Sequence, residues 1–175
     1  MVGPFIFSRL PVIHFGPAKI DNLATIAAGY GRSALLVTGS ASFIASPMGE
    51  KVLKSLAEKG IRVRKVQVTG EPSPAIVDKA VSENRAPMPD VVIAIGGGSA
   101  LDAGKAISAM LLPGGNLKDY LEGVGTREHP GQKVPFIAVP TTAGTGSEAT
   151  KNAVISEVGS NGFKKSLRHE NFVPD

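Results

Sequence analysis

Ala94-Ile95-Gly96-Gly97-Gly98-Ser99-Ala100-Leu101-Asp102-Ala103-Gly104-Lys105-Ala106 runs from the end of an apolar strand, through a glycine turn, into a helix. The residues before it, Asp90-Val91-Val92-Ile93-Ala94-Ile95, are β-branched and continuously apolar, the pattern of a strand buried on both faces of a parallel sheet. Three glycines let the backbone turn tightly and let a ligand approach closer than a Cβ allows. Ser99 and Asp102 are expected to cap and open the helix, whose first N–H groups and dipole then favour an anion such as a phosphate. Two familiar phosphate loops are excluded by spacing. A Walker A loop requires glycine where Ser99 stands and Ser or Thr where Ala106 stands. The G-x-G-x-x-G fingerprint fails because Leu101 occupies the third glycine position.

A second segment repeats the logic. Pro135-Phe136-Ile137-Ala138-Val139-Pro140 is an apolar strand, and Thr141-Thr142-Ala143-Gly144-Thr145-Gly146-Ser147-Glu148-Ala149-Thr150 follows as a loop of small, hydroxyl-bearing residues. The hydroxyls of Thr141, Thr142, Thr145 and Ser147 offer many donors with little bulk, which suits a ribose or diphosphate; a plain Ser/Thr-rich connector has the same composition. Around these segments, strands are expected at Val12–Phe15, Ala34–Thr38, Val63–Thr69, Val91–Ile95 and Phe136–Pro140, with a hairpin from Ala153–Ile155 back through Lys164. Helices are expected at Lys19–Ala28, Pro47–Lys59, Pro74–Asn84 and Leu101–Met110, with a short one near Leu117–Leu121. Strands alternating with helices predict a doubly wound, mostly parallel, Rossmann-like α/β sheet in one domain spanning residues 1–175. The turns after Thr38, Thr69, Ile95 and Pro140 then share the carboxyl edge of the sheet, where such folds bind ligands.

Composition narrows the function. The chain has 175 residues, of which 42% are hydrophobic, enough for one sizeable core. It contains no cysteine, which removes disulfides and thiolate chemistry and fits a reducing compartment. No apolar run reaches membrane length and no leader pattern opens the chain, so a cytoplasmic protein without membrane contact is expected. Net charge is +4, but the basic patches Arg62-Val63-Arg64-Lys65 and Lys164-Lys165-Ser166-Leu167-Arg168 are short and lack interleaved aromatics, so nucleic acid is not an expected partner. His14, His129 and His169 are scattered, with no i, i+4 pair to place two imidazoles on one helix face; surface or hydrogen-bonded structural roles are expected for them.

The pair GGGSALDAGKA and VPTTAGTGSEAT closely resembles the iron-containing (group III) alcohol dehydrogenase family, and the similarity extends over essentially the whole chain. His14-Phe15-Gly16, Leu35-Leu36-Val37-Thr38-Gly39 and Lys164-Lys165-Ser166-Leu167 support it. The resemblance implies an NAD(P)-dependent oxidoreductase with an N-terminal dinucleotide domain like that of dehydroquinate synthase. It also implies a C-terminal helical domain carrying a divalent metal, iron or zinc, on one Asp and three His. Those helices follow the segment matching Asn171–Asp175, so this chain is expected to hold the cofactor but to be inactive alone. No catalytic or metal-ligating residue is assigned. Homo-oligomerisation or association with a helical domain is expected to cover the surface left exposed.

On this basis Gly97, Gly98 and Ser99 are assigned to the diphosphate, and Asp102 to a helix cap or a contact on the nicotinamide side. Thr141, Thr142 and Thr145 are assigned to the adenine and ribose side, and Lys164, rather than Lys165, to ribose or phosphate. Many members of the resembled family carry Asp where this chain has Gly39; without that carboxylate, Ser40 or Ser42 can donate to a 2′-phosphate, so NADP is favoured over NAD. Glu71, in Gly70-Glu71-Pro72-Ser73-Pro74, replaces a more usual Asn-Pro-Thr turn and is expected at the cofactor rim. Two other readings stay open: a stand-alone dinucleotide-binding module or partner subunit without catalysis, and an enzyme of the related dehydroquinate synthase or glycerol dehydrogenase type.

Overall fold

In the computed structural model, which describes residues 3–4, 9–39, 42–160 and 162–175, four parallel strands form the central sheet. They are β1 (Ser33–Thr38), β2 (Arg62–Gln67), β3 (Val91–Gly96) and β4 (Phe136–Pro140), in the order β2-β1-β3-β4. A separate antiparallel hairpin joins β5 (Asn152–Glu157) to β6 (Phe163–Arg168). Four α-helices make the crossovers and flanks: α1 (Leu23–Ala28), α2 (Pro47–Glu58), α3 (Pro74–Asn84) and α4 (Gly98–Met110). Because β1 pairs with both β2 and β3, the connections leave β1 in one direction and return in the other. That reversal is the switch point at which open α/β sheets form a ligand crevice.

The continuous apolar runs of β1 and β3 are explained by burial on both faces. Alternate residues feed two separate cores. Leu35, Val37, Val92 and Ala94 pack with α3, α4 and the hairpin, while Ala34, Leu36, Val91, Ile93 and Ile95 pack with α1 and α2. The sheet is therefore doubly wound, as expected. Ser46 and Ser73 cap α2 and α3, accepting from the N–H groups of Gly49 (3.1 Å) and Ile76 (3.4 Å), with Pro47 and Pro74 following them in the first turn.

Helix α4 is the central helix, buried from Ala100 to Met110. Gly104 lets it lie directly on the sheet: a Cβ there would stand 2.6 Å from Ala94 Cβ and 3.0 Å from Phe136 Cε2. The carbonyls at its end and just beyond are gathered by Arg85, which donates to Met110 (2.9 Å), Leu111 (3.1 Å) and Pro113 (2.6 Å).

Several boundaries differ from the sequence reading. Residues 11–15 form no strand, and Val12, Ile13 and Phe15 stand exposed, Phe15 at 92%. Their β-branched and aromatic side chains suit a strand, but β1 and β3 are already paired on both sides and no described strand meets this segment. Lys19–Ala28 divides into a 3-10 turn at Lys19–Asn22 followed by α1. The element near Leu117–Leu121 is also 3-10, at Leu117–Tyr120. Helix α4 begins at Gly98, three residues before the expected start, so Ser99 and Asp102 lie inside it and neither caps it. The N-cap is Gly97, extended at φ −77° and ψ −175°, and no side chain bonds the helix from that position.

Candidate functional site

The turn after β3 lies beside the turn after β1. Gly96 adopts φ +157°, and a Cβ on it would meet Ala100 Cβ at 2.7 Å and the Gly39 nitrogen at 3.5 Å, so only glycine fits. The loop after β4 closes over these glycines. Thr141 N–H donates to the Gly96 carbonyl at 2.9 Å. Thr142 stands over Gly97, with Oγ1 3.3 Å from where a Cβ would lie, and Thr145 stands over Gly98 in the same way at 3.1 Å. The two glycine-rich segments thus form one cradle, packed so closely that side chains at Gly97 and Gly98 would disturb it.

A cavity of about 300 Å³ opens beside this cradle, lined by α4, the loop, the hairpin and the Glu71–Pro72 turn. Five of the residues assigned from sequence line it: Gly98, Ser99, Asp102, Thr145 and Lys164. Gly97, Thr141 and Thr142 flank it through the contacts above. Gly39 borders Gly96 and has nothing within 4 Å of an added Cβ. Ser40 lies outside the described residues.

Asp102 is 8% exposed, and burial pushes its carboxyl pKa up. The Ser147 hydroxyl and Val154 N–H, and then Lys105 and Lys164, oppose the rise. Asp102 therefore sits where α4, the loop and the hairpin meet, bordering the cavity. That placement replaces its expected capping role.

Lys164 reaches the cavity from β6, opposite Ser156 on β5. Its neighbour Lys165 projects elsewhere, toward Gly123, as strand alternation requires. Lys164 Nζ lies 3.1 Å from Glu71 Oε1, so the lysine assigned to the cofactor is held by the carboxylate that sequence placed at the rim. The Ser156 hydroxyl and then Lys164 hold the Glu71 carboxyl below its usual range, although the buried Ser156 Oγ has no aligned hydrogen bond.

Sequence reading missed Lys105. By motif it is only the lysine of an incomplete Walker A pattern. The signal was its setting, Ala103-Gly104-Lys105-Ala106, a lone cation among small residues on a largely apolar helix. In the structure it is fully buried behind the cavity wall.

Among the described residues, no three His, Cys, Asp or Glu side chains come together as a metal-holding group. His14 is exposed. His129 and His169 both pack against the Phe172 ring, at centroid distances of 4.7 and 5.4 Å, and each accepts a backbone N–H on Nδ1, from Gly131 and Asn171 respectively. Both nitrogens of His129 are engaged, since Nε2 meets the Ala109 carbonyl at 3.2 Å. These residues do not fit a catalytic metal. No described helix is long and apolar enough to cross a membrane.

Comparison with known proteins agrees with this fold. The profile of iron-containing alcohol dehydrogenases matches residues 11–175. The chain is 36% identical over 171 residues to the probable alcohol dehydrogenase EutG of Escherichia coli (strain K12), covering 97% of this chain and 42% of that protein. It is 32% identical over 164 residues to the NADPH-dependent butanol dehydrogenase of Clostridium saccharobutylicum, covering 93% and 41%. Among solved structures, sulfoacetaldehyde reductase from Bifidobacterium kashiwanohense in complex with NAD+ superposes with a TM-score of 0.84 at 27% identity, covering 98% of this chain and 45% of that one. The chain spans less than half the length of these relatives. It belongs to the iron-containing alcohol dehydrogenase family and corresponds to the N-terminal α/β portion of its members.

Proposed function

We propose that these 175 residues form the dinucleotide-holding part of an NAD(P)-dependent alcohol dehydrogenase. The observation that carries this reading is the cradle at the switch point, where Gly97 and Gly98 pack beneath Thr142 and Thr145 and the first turn of α4, Gly98 and Ser99, lines the adjoining cavity. In it, Gly97, Gly98 and Ser99 would hold the diphosphate, and Thr141, Thr142 and Thr145 the adenine and ribose side. Lys164 would reach a ribose or phosphate, and Asp102 would border the nicotinamide end. The bound cofactor supplies a hydride acceptor or donor; the protein's part is to fix its position and exclude water around it.

The open space at Gly39 supports acceptance of NADP(H): no carboxylate there repels a 2′-phosphate. The relatives carry both cofactors in their names or complexes, NADPH in one and NAD+ in another. The metal that polarises the alcohol oxygen in the resembled enzymes is proposed to be held by residues other than these. Self-association or a docked helical domain is proposed to cover Leu10, Val12, Ile13 and Phe15, all exposed. A sharp monomer peak in light scattering argues against self-association.

Fluorescence titration with NADPH and NADH, on this chain and on Gly39→Asp, tests the main reading. Saturable binding that favours NADPH and shifts toward NADH in the variant is the expected outcome; binding of neither rejects the reading. A binding module without catalysis is the second reading, favoured by the dispersed histidines. Turnover of an alcohol with added divalent metal and a helical domain from a relative separates the two.

A further inference from the structure

Lys105 Nζ donates to three main-chain carbonyls: Ser147 at 2.8 Å, Thr150 at 2.6 Å and Asn152 at 3.0 Å, with Thr150 Oγ1 further off at 3.5 Å. An ammonium has three N–H donors, and three carbonyls use all of them. The acceptors extend from the end of the hydroxyl-rich loop to the first residue of β5, and Ser147, Thr150 and Asn152 themselves line the cavity. One buried cation therefore sets the position of a whole wall.

No described carboxylate lies within ion-pair distance of Lys105. The ionisable groups acting on it are Asp102 of α4 and Glu148 of the loop, and Lys164 of β6 faces Asp102 in turn. The Oε2 atom of Glu148 is buried without a hydrogen-bond partner. An apolar residue at position 105 would leave the loop carbonyls without donors, a costly state for buried main chain.

We propose that Lys105 is a positioning residue of the dinucleotide site, whose ammonium holds residues 147–152 against α4 so that cofactor affinity depends on its charge. The inference rests on the dinucleotide reading above. Burial lowers the pKa of Lys105 to about 8, with Asp102 and Glu148 opposing the shift. A neutral amine has two N–H donors, so deprotonation strands one of the three carbonyls and frees the loop at that point. Affinity is then full while the ammonium persists and falls as pH rises through this region.

The test is fluorescence titration of the full chain with NADPH and NADH from about pH 6.5 to about pH 9.5. Wild type is expected to lose about tenfold in affinity across that range, the scale of one stranded buried carbonyl. Lys105→Arg, which stays charged throughout, is expected to flatten the profile; Lys105→Met is expected to bind weakly and without pH dependence. Should Lys105→Met fail to fold, amide exchange of wild type, corrected for intrinsic rates, gives an independent reading. Residues 145–152 should lose protection over the same pH range while β1 and β3 keep theirs. A flat wild-type binding profile with constant loop protection, or wild-type affinity in Lys105→Met, overturns the proposal and leaves the dinucleotide reading intact. Absence of dinucleotide binding even at the lowest pH rejects that reading, and the proposal falls with it.

Discussion

Glu71 stands at the rim of the proposed cofactor cavity and holds Lys164 across it, both side chains being more than half exposed. An exposed ion pair is weak, so it competes with a ligand phosphate without excluding it. Glu71→Gln is expected to tighten NADPH binding by about two- to fivefold, read by the same titration at low salt, and less at high salt, where the competing charge is screened. His129 makes a prediction about stability. Its Nδ1 accepts from Gly131 N–H at 3.0 Å, so the ring is neutral with its proton on Nε2, facing the Ala109 carbonyl. Burial pushes its pKa below 6.5, against the pull of that carbonyl. The unfolded chain takes up a proton near the ordinary value while the folded one resists, so this contribution is complete above about pH 6.5 and declines as pH falls toward the folded value. Denaturation at about pH 7.5 and about pH 5.5 should show that decline in wild type and a smaller one in His129→Gln. At this scale the sequence was only partly readable. Gly98 and Thr145 line the cavity, and the glycine and hydroxyl runs after strands pointed to that edge of the sheet, although a plain connector has the same composition. The partners of Lys105 were not legible, since only the folded loop brings three carbonyls to it.

Arg85 carries the element-scale prediction. It follows α3 and gathers the last carbonyls of α4, so a single side chain joins the ends of two helices. Arg85→Met should destabilise the protein by about 1–3 kcal/mol, since it leaves those carbonyls without their charged donor; urea denaturation reads the loss. The elements themselves were legible where local chemistry marks their ends. Ser73 with Pro74 places the start of α3, and Gly60 follows α2 after Lys59 at φ +72°. Two misreadings share a different cause. Residues 12–15 have the residue types of a strand, but a strand also needs an edge to pair with, and local propensity carries no information about that. Asp102 is a residue favoured near helix starts, yet the glycine turn lets α4 begin earlier, and the carboxylate faces Ser147 and Val154 beside the cavity instead.

For the molecule as a whole, the parallel sheet separates two cores, and β1 and β3 contribute to both. Amide exchange should therefore proceed slowest in β1 and β3, through global unfolding alone; the half-exposed edge strand β2 and residues 11–15 should exchange faster by local opening. Hydrogen-exchange mass spectrometry checks this order, and equal protection of β2 and β3 would refute it. Both-face burial was readable in the unbroken apolar runs of β1 and β3, whereas the strand order was not, because a crossover of the same length can return on either side. One further consequence follows from the bare start of α4. The most deeply buried helix of the domain lacks a side-chain partner at its amino end, so a phosphate seated there would complete it from outside the chain. Ligand would then act as a missing piece of secondary structure. By mass action, saturation at a hundred times the dissociation constant would raise the unfolding free energy by about 2.7 kcal/mol, felt by both cores rather than by a surface loop.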